Sequence, residues 1–148
     1  MKKYIVDAST TLKWIFNDEE GVGVARELLS DYLSEKIVLI APSLWLIEVA
    51  NAVKSAVLSG RIASKKGELL LSLLLQAKPK IIPLDGYVEN AFKLACKYKI
   101  SVYDGLYLTI ALENKIPFVT ADKKLFEAVK GLKEKVAHLN DFKNIYNL

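Results

Sequence analysis

Short apolar runs alternate with longer segments of helical periodicity along this chain. The apolar runs are rich in isoleucine and valine, which is typical of strands buried in a sheet. They predict strands over residues 4–6, 37–40, 81–83, 118–120 and 136–139. The periodic segments predict helices over residues 10–16, 22–33, 43–60, 64–76, 87–98 and 102–113. Strands that alternate with helices imply right-handed crossovers, so the pattern predicts an α/β fold. Its sheet should be parallel, with about five strands and helices on both faces.

Polar residues mark the predicted ends of several helices. Ser43, Ser64, Asp85 and Ser101 are predicted N-caps, because their side-chain oxygens accept free backbone N–H groups. Gly60 is predicted just after the end of the helix that Ser43 opens, since glycine tolerates a positive φ. No repeat or Pro/Gly-rich linker interrupts the alternation, so a single domain over residues 1–148 is expected.

The predicted helix over residues 64–76 carries more leucine than one buried stripe needs. Its leucines, at positions 69, 70, 71, 73, 74 and 75, spread almost around the helix. A surface helix needs only one apolar stripe, so this helix either lies deep in the core or meets a partner. The partner interpretation, such as a homodimer, is favoured because large apolar patches commonly mark interfaces.

Composition narrows the compartment and the kinds of site. The net charge of +4 and pI near 9.0 are compatible with a polyanionic partner but not diagnostic. Cys96 is the only cysteine and His138 the only histidine, which excludes an internal disulfide and makes a Cys/His zinc site implausible. Cys96 is predicted to be buried in its helix. With no signal-peptide pattern and no apolar run of about 18 residues, a cytoplasmic protein without membrane spans is expected.

Four carboxylates stand where the pattern predicts a core. Asp7, Glu48 and Asp104 are each the only charge in a long uncharged stretch, and Asp122 ends the uncharged residues 116–121. A lone ionised carboxylate in a core costs several kcal/mol unless something compensates it. No lysine or arginine lies beside the first three in sequence. If the four converge in space, a divalent cation is the natural compensator.

Simpler roles for these acids stay open. Asp7 and Asp122 each follow a predicted strand and could cap the next helix. Glu48 and Asp104 could each accept a buried hydrogen bond from a tyrosine or a backbone group. The strand ends nevertheless bring Asp7 and Asp122 to the edge of a parallel sheet where ligands bind. Oxygen-only ligands select Mg²⁺ or Mn²⁺, and Mg²⁺ commonly joins carboxylates to substrate phosphates.

Four segments together resemble a known family. They are residues 5–9, Glu48 in its helix, residues 103–108 and residues 120–125, in the order and spacing of the PIN domain. The resemblance runs from residue 5 to about 139 and is greatest to the single-domain toxin ribonucleases of VapBC toxin–antitoxin pairs. It implies a parallel sheet of about five strands with the acids at its C-terminal edge. One departure is Gly105, where alanine is more usual; glycine costs up to about 1 kcal/mol in a helix.

The resemblance also implies roles for individual residues. Asp7, Glu48 and Asp104 would be the core metal-binding acids, and Asp122 a fourth, more distant one. The same resemblance implies that the hydroxyls of Ser9 and Thr120 orient an acid or its water. Apart from the resemblance, the positive charges of Lys123 and Lys124 make them candidate phosphate contacts. Both lysines could equally be solvated.

The expected function is a Mg²⁺- or Mn²⁺-dependent endoribonuclease, restrained as a toxin by a small antitoxin. The alternatives are a housekeeping RNA-processing PIN nuclease and a catalytically silent PIN scaffold that binds RNA or protein. Other phosphoryl-transfer classes fit less well. Haloacid-dehalogenase-like phosphatases need an acid at the position of Ser9. A receiver-like domain could use Asp85 as its phosphoacceptor, but Asp7 lacks the acidic neighbour that such domains require.

Overall fold

The computed structural model describes residues 1–141, which form five strands and seven α-helices. The strands are β1 (Lys2–Val6), β2 (Ile37–Pro42), β3 (Lys80–Ile82), β4 (Phe118–Thr120) and β5 (Val136–His138). The helices are α1 (Ala8–Thr11), α2 (Val22–Leu33), α3 (Leu44–Leu58), α4 (Ser64–Gln76), α5 (Val88–Tyr98), α6 (Val102–Asn114) and α7 (Lys123–Ala128). The last part of the domain predicted over residues 1–148 lies outside the described residues.

The sheet is parallel throughout, with strand order β3-β2-β1-β4-β5. Ile5 of the central strand β1 pairs with Ile40 of β2 on one side and Phe118 of β4 on the other. Strands β2 and β3 are added in turn on one side of β1, and β4 and β5 are then added in turn on its other side. The order in which strands are added therefore reverses at β1. Right-handed crossovers then put the helices of the two halves on opposite faces. The predicted fold class is confirmed.

Helix α6 lies in the core, which explains why Asp104 is the only charge within its uncharged stretch. Residues 105–111 of this helix are all buried, and so are Tyr4, Ile5 and Val6 of the central strand. The sequence of a helix or strand that is buried on all sides is a continuous apolar run, without the alternation of apolar and polar residues seen in surface elements. Only the N-terminal end of α6, where Asp104 lies, reaches the carboxyl edge of the sheet.

The predicted end of α3 is confirmed in detail. Gly60 has a φ of 78°, its N–H donates to the Val57 carbonyl at 3.1 Å, and the Arg61 N–H donates to the Ala56 carbonyl at 3.0 Å. These two bonds are the Schellman pattern that satisfies the last carbonyls of a helix. At the other end of α3, Ser43 occupies the N-cap position, but its side chain makes no capping hydrogen bond.

Two of the other predicted caps are wrong. Ser64 is the first residue of α4 and Ala63 takes the N-cap position. The segment after β3 makes a turn in which Gly86 has a φ of 84°, so α5 starts at Val88 and Asp85 does not cap it. Ser101 is confirmed as the N-cap of α6, because its Oγ accepts the third helical N–H at 3.0 Å.

The leucine-rich helix α4 is partly core and partly surface. Leu74 is 1% exposed, whereas Leu69 and Leu73 are 59% and 48% exposed. The helix therefore contributes one stripe to the core and leaves part of its apolar surface uncovered. Cys96 on α5 is exposed, so its predicted burial is wrong. It lies one position after Ala95, on the side of an amphipathic helix that faces away from the core.

None of the helices formed by residues 1–141 is long and apolar enough to cross a membrane.

Candidate active site

Asp7 lies at the end of β1 and is only 5% exposed. Its carboxylate accepts three hydrogen bonds: from Ser9 Oγ at 2.6 Å, from Thr10 N at 3.1 Å and from Thr120 Oγ1 at 2.5 Å. The bond from Thr10 makes Asp7 the N-cap of α1, so the capping role is real. Burial nevertheless raises the pKa of Asp7, against the lowering effect of these hydrogen bonds.

Ser9 and Thr120 join the ends of β1 and β4. Ser9 Oγ accepts the Ala121 N–H at 3.0 Å, and Thr120 Oγ1 accepts the Asp122 N–H at 3.1 Å. Because the same two hydroxyls donate to Asp7, they fix the backbone after β4 relative to the Asp7 carboxylate. This is the orienting position that the resemblance implies for both residues.

Glu48 of α3 is half-buried and is held by a tyrosine from α6. Tyr107 Oη donates to Glu48 Oε1 at 2.7 Å, which is the tyrosine hydrogen bond considered for this acid. The Tyr107 ring is itself buried and stacks on Phe118, with ring centroids 5.8 Å apart. Burial raises the pKa of Glu48, the tyrosine lowers it, and the charges of Asp7 and Asp104 raise it further.

Asp104 lies in the first turn of α6, directly at the edge of the sheet. Its backbone N–H donates to Ser101 Oγ at 3.0 Å. The pKa of Asp104 is raised to about 6, first by burial and then by the charges of Asp7 and Asp122, against the lowering effect of a side-chain hydrogen bond with Ser101. A carboxyl group at a helix N-terminus would ordinarily be stabilised as an anion, so burial and, after it, the neighbouring acids outweigh that effect and raise the pKa.

Asp122 follows β4 and caps α7, since its Oδ1 accepts the Leu125 N–H at 3.0 Å. The capping interpretation is therefore correct, while the charge of Asp122 still reaches Asp104. The adjacent lysines Lys123 and Lys124 are both exposed. Lys123 Nζ lies 3.3 Å from Glu20 Oε2, so this candidate phosphate contact already has a carboxylate partner.

His138 supports the site, although the sequence patterns do not single it out. It ends β5, its Nδ1 accepts the Asn140 N–H at 3.1 Å, and its Nε2 lies 3.3 Å from the Ala121 carbonyl. Since Nδ1 accepts, Nε2 carries the proton and donates to Ala121. The signal in the sequence that could have indicated this position is that His138 is a single histidine within an otherwise apolar predicted strand.

The four predicted acids therefore come together at the carboxyl edge of β1 and β4. Their charges act on one another, and oxygen atoms are the donors that Mg²⁺ and Mn²⁺ prefer. The donor set fits a divalent cation in chemistry and in charge. As the side chains are oriented in residues 1–141, no three acidic, histidine or cysteine groups stand close enough to ligate one ion. Asp7, Glu48 and Asp122 are turned towards hydrogen-bond donors of the protein instead.

Comparison with known proteins assigns the family. The chain matches the PIN domain over residues 4–132 and belongs to that family. Two curated relatives are ribonucleases of Mycobacterium tuberculosis. Ribonuclease VapC12 is 24% identical over 124 residues, which is 84% of this chain and 90% of the relative. Ribonuclease VapC1 is 27% identical over 129 residues, which is 86% of this chain and 92% of the relative.

Solved structures agree on the fold. PAE2754 from Pyrobaculum aerophilum superposes with a TM-score of 0.70 at 20% identity, covering 99% of this chain and 91% of that one. A chain of VapBC2 from Rickettsia felis, solved bound to a DNA fragment of its promoter, gives a TM-score of 0.64 at 16% identity. That match covers 92% of this chain and 98% of that chain.

Proposed function

We propose that this protein is a Mg²⁺- or Mn²⁺-dependent endoribonuclease that hydrolyses phosphodiester bonds of RNA. The observation that carries the proposal is the cluster of carboxylates at one sheet edge, where burial first and the charges of neighbouring acids second raise the pKa values of Glu48 and Asp104. Membership of the PIN family and similarity to two VapC ribonucleases support the class of reaction.

In this proposal Asp7, Glu48 and Asp104 hold the cation, and Asp122 contributes from further away. When bound, such an ion supplies Lewis-acid polarisation of a phosphoryl oxygen and compensates charge on the leaving oxygen. The chain's own groups fix the acids. Asp7 Oδ1 already accepts two donors, Ser9 Oγ and Thr10 N. Among the described residues, Asp7 Oδ2 accepts only Thr120 and Glu48 Oε1 accepts only Tyr107, so these two oxygens each keep a further lone pair for a ligand.

The test is cleavage of single-stranded RNA with and without metal. Activity should require Mg²⁺ or Mn²⁺ and stop in EDTA. Asp104→Asn should lose at least about a hundredfold, the scale of removing one strong electrostatic contributor. Asp122→Asn should lose less. Asp85→Asn is the matched control, because Asp85 is an exposed acid in the segment after β3, and it should keep wild-type activity.

Four results would contradict the proposal. Full cleavage by thoroughly chelated protein would exclude the metal-dependent reaction. Cleavage retained by Asp104→Asn, purified in parallel, would point to a contaminating nuclease. Loss of activity in Asp85→Asn alone would favour a phosphoacceptor at that position. RNA binding without cleavage by the metal-loaded wild type would favour the silent scaffold.

We further propose a cytoplasmic toxin that works with a small antitoxin and forms a homodimer. The relatives named VapC and the VapBC2 structure support the partner, and the exposed Leu69 and Leu73 of α4 supply apolar surface for an interface. Co-expression with the neighbouring reading frame tests the pairing: the two products should co-purify, and RNA cleavage should be inhibited. A neighbour that neither binds nor inhibits would favour the housekeeping nuclease.

A further inference from the structure

Three consecutive carboxylates, Asp18, Glu19 and Glu20, form a turn before α2, which we name the acidic turn. Each of them forms an ion pair with a cation from another part of the chain. The pairs are Arg61 Nη2 to Asp18 Oδ1 at 2.5 Å and to Glu19 Oε1 at 3.3 Å, Lys13 Nζ to Glu19 Oε2 at 3.4 Å, and Lys123 Nζ to Glu20 Oε2 at 3.3 Å. The acidic turn therefore forms ion pairs with cations from three separate segments of the chain.

Two of these cations are oriented by packing as well as by their ion pairs. The Lys13 side chain is only 13% exposed and that of Arg61 is 36% exposed. The Arg61 guanidinium lies over the Phe16 ring, 4.3 Å from its centroid, which orients the planar fork. Such a fork binds a carboxylate or a phosphate equally well, because both present paired oxygens.

A cavity is lined by two of these cations and by residues next to the acidic centre, although none of the four acids lines it. Its volume is about 310 Å³, and Lys13, Glu19 and Arg61 line one part of it, with Ser9 and Ala121 lining another. Ser9 and Ala121 are the residues whose hydrogen bonds fix the ends of β1 and β4. The volume of the cavity is that of a small-ligand site. Glu19 is one of the residues that line it, and there it contacts both Lys13 and Arg61.

The electrostatics of RNA binding suggest a role for the cations Lys13 and Arg61 beside the acidic centre. A polyanion that approaches four carboxylates needs cations beside them, and phosphate contacts supply most of the affinity of backbone binding. In the described structure Arg61 is engaged by carboxylates of the chain itself, and Lys13 by the Glu19 carboxylate at 3.4 Å and the Glu20 backbone carbonyl at 2.6 Å. Asp18 is 68% exposed and Glu19 is 33% exposed, and ion pairs of this kind contribute little, so a stronger anion can replace them.

We propose that Lys13 and Arg61 form a binding subsite for the RNA phosphate backbone beside the acidic centre, which the acidic turn occupies until RNA displaces it. This subsite rests on the proposed ribonuclease function and defines where the backbone lies next to the acids. The competing explanation is a structural brace, in which the ion pairs only hold the acidic turn against the loop between α3 and α4.

The test is binding of a short oligouridylate in EDTA, which keeps the RNA intact, measured by fluorescence anisotropy over a range of salt concentrations. Arg61→Gln should bind more weakly, and the slope of log affinity against log salt should fall by about 0.7, the value for one phosphate contact on a single strand. Arg61→Lys should keep the slope, since its charge is retained, but bind more weakly than wild type. Glu19→Gln should bind roughly two- to fivefold more tightly, because its two ion pairs, with Lys13 and with Arg61, no longer compete.

The matched controls are Glu89→Gln and Lys93→Gln, two exposed positions of α5. No residue of α5 lines the cavity that Lys13 and Arg61 line. These controls repeat the charge changes outside the proposed subsite, and both should bind RNA as wild type does. Thermal unfolding of every variant shows whether it stays folded.

Several outcomes would overturn the subsite. They are weaker or unchanged RNA binding by Glu19→Gln, an unchanged salt slope for Arg61→Gln, and no measurable wild-type binding at the lowest salt. Glu19→Gln that melts earlier and gains no affinity would establish the structural brace. The metal-dependent cleavage assay separates the two proposals. Wild-type cleavage with an unchanged Arg61→Gln slope removes only the subsite, whereas the predicted slope without any cleavage removes the ribonuclease and leaves an RNA-binding surface.

Discussion

At the scale of single residues, the hydrogen bond between Tyr107 and Glu48 links the core to the acidic centre. The tyrosine is 1% exposed and stacks on Phe118, so its hydroxyl is held in place by packing rather than by solvent. Burial and the charge of Glu48 raise the pKa of Tyr107, which keeps it a neutral donor. One buried hydroxyl therefore orients an acid that burial and like charges otherwise disfavour in its ionised form.

Tyr107→Phe should keep the fold and weaken the use of metal. The ring still packs, but Glu48 loses a donor that lowers its pKa, so the pKa should rise further. Loss of such an orienting group typically costs about ten- to a hundredfold in metal affinity or activity. RNA cleavage measured against Mg²⁺ concentration should show a higher half-saturating concentration. Tyr103→Phe, an exposed tyrosine of the same helix, is the control and should behave as wild type. An unchanged metal requirement in Tyr107→Phe would mean that Glu48 is oriented by other contacts.

At the scale of elements, the close contact between α5 and α6 explains the glycine next to Asp104. A Cβ added at Gly105 would lie 2.5 Å from the carbonyl oxygen of Ala91 in α5. The residue that looks like a helix-weakening departure from the family pattern is thus required by the approach of a neighbouring backbone. Because Gly105 is the first buried residue after Asp104, this contact also sets the position of the acid.

Gly105→Ala should destabilise the protein although alanine is the better helix former. Alanine gains at most about 1 kcal/mol in helix propensity, whereas overpacking against a backbone atom costs about 1–3 kcal/mol. Thermal unfolding should show a melting temperature lower by a few degrees. Gly23→Ala is the control of opposite sign, because Gly23 lies in α2 with nothing within 4 Å of its added Cβ, and it should raise stability. Stabilisation by both substitutions would mean that α5 and α6 separate easily.

The elements also show which features the sequence could predict. The strands and the lone acids follow from apolar periodicity, which depends on burial and is visible in one chain. The N-caps of α4 and α5 do not, although the predicted helix starts lie within one residue of the observed ones. Ser64 and Asp85 have side chains that can cap a helix, but Ser64 is already the first residue of α4, and Asp85 lies in the turn that leads into α5. The ion pairs of Arg61 with Asp18 and Glu19 join residues more than 40 positions apart, and nothing local to either segment indicates them.

At the scale of the whole molecule, the uncovered leucines predict an assembly surface on α4. Leu69→Glu and Leu73→Glu should leave the fold intact, because both side chains are about half exposed, and should reduce dimer mass or antitoxin binding. Light scattering and a pull-down with the neighbouring gene product measure this. Leu74→Glu is the contrasting variant: its site is 1% exposed, so it should unfold the protein. If both exposed variants keep the wild-type mass and partner, the interface lies on another face.

The acidic centre also couples the stability of the whole molecule to pH and metal. The pKa values of Asp7, Glu48 and Asp104 are all raised in the folded state, so the folded protein holds protons more tightly than the unfolded chain. The stability that these groups contribute is fully present below the unfolded value, which is 3.8 for aspartate, and for Asp104 it is lost as pH rises through about 6. The melting temperature of metal-free protein should therefore fall across this window, and a cation that binds the native state should restore it.

Asp7→Asn separates the capping role of Asp7 from its role as a ligand. Asparagine keeps an oxygen that can accept the Ser9 and Thr10 donors but removes a buried charge that raises the pKa values of Glu48 and Asp104. Near neutral pH the metal-free mutant should melt at or above the metal-free wild type, and its melting temperature should depend less on pH. It should also lose most of the rise that millimolar Mg²⁺ or Mn²⁺ gives the wild type. Thermal unfolding in EDTA and in metal measures both effects, with Asp85→Asn as the control that should change neither. A mutant several degrees less stable without metal, yet fully stabilised by it, would make Asp7 a structural cap and move the central ligand elsewhere.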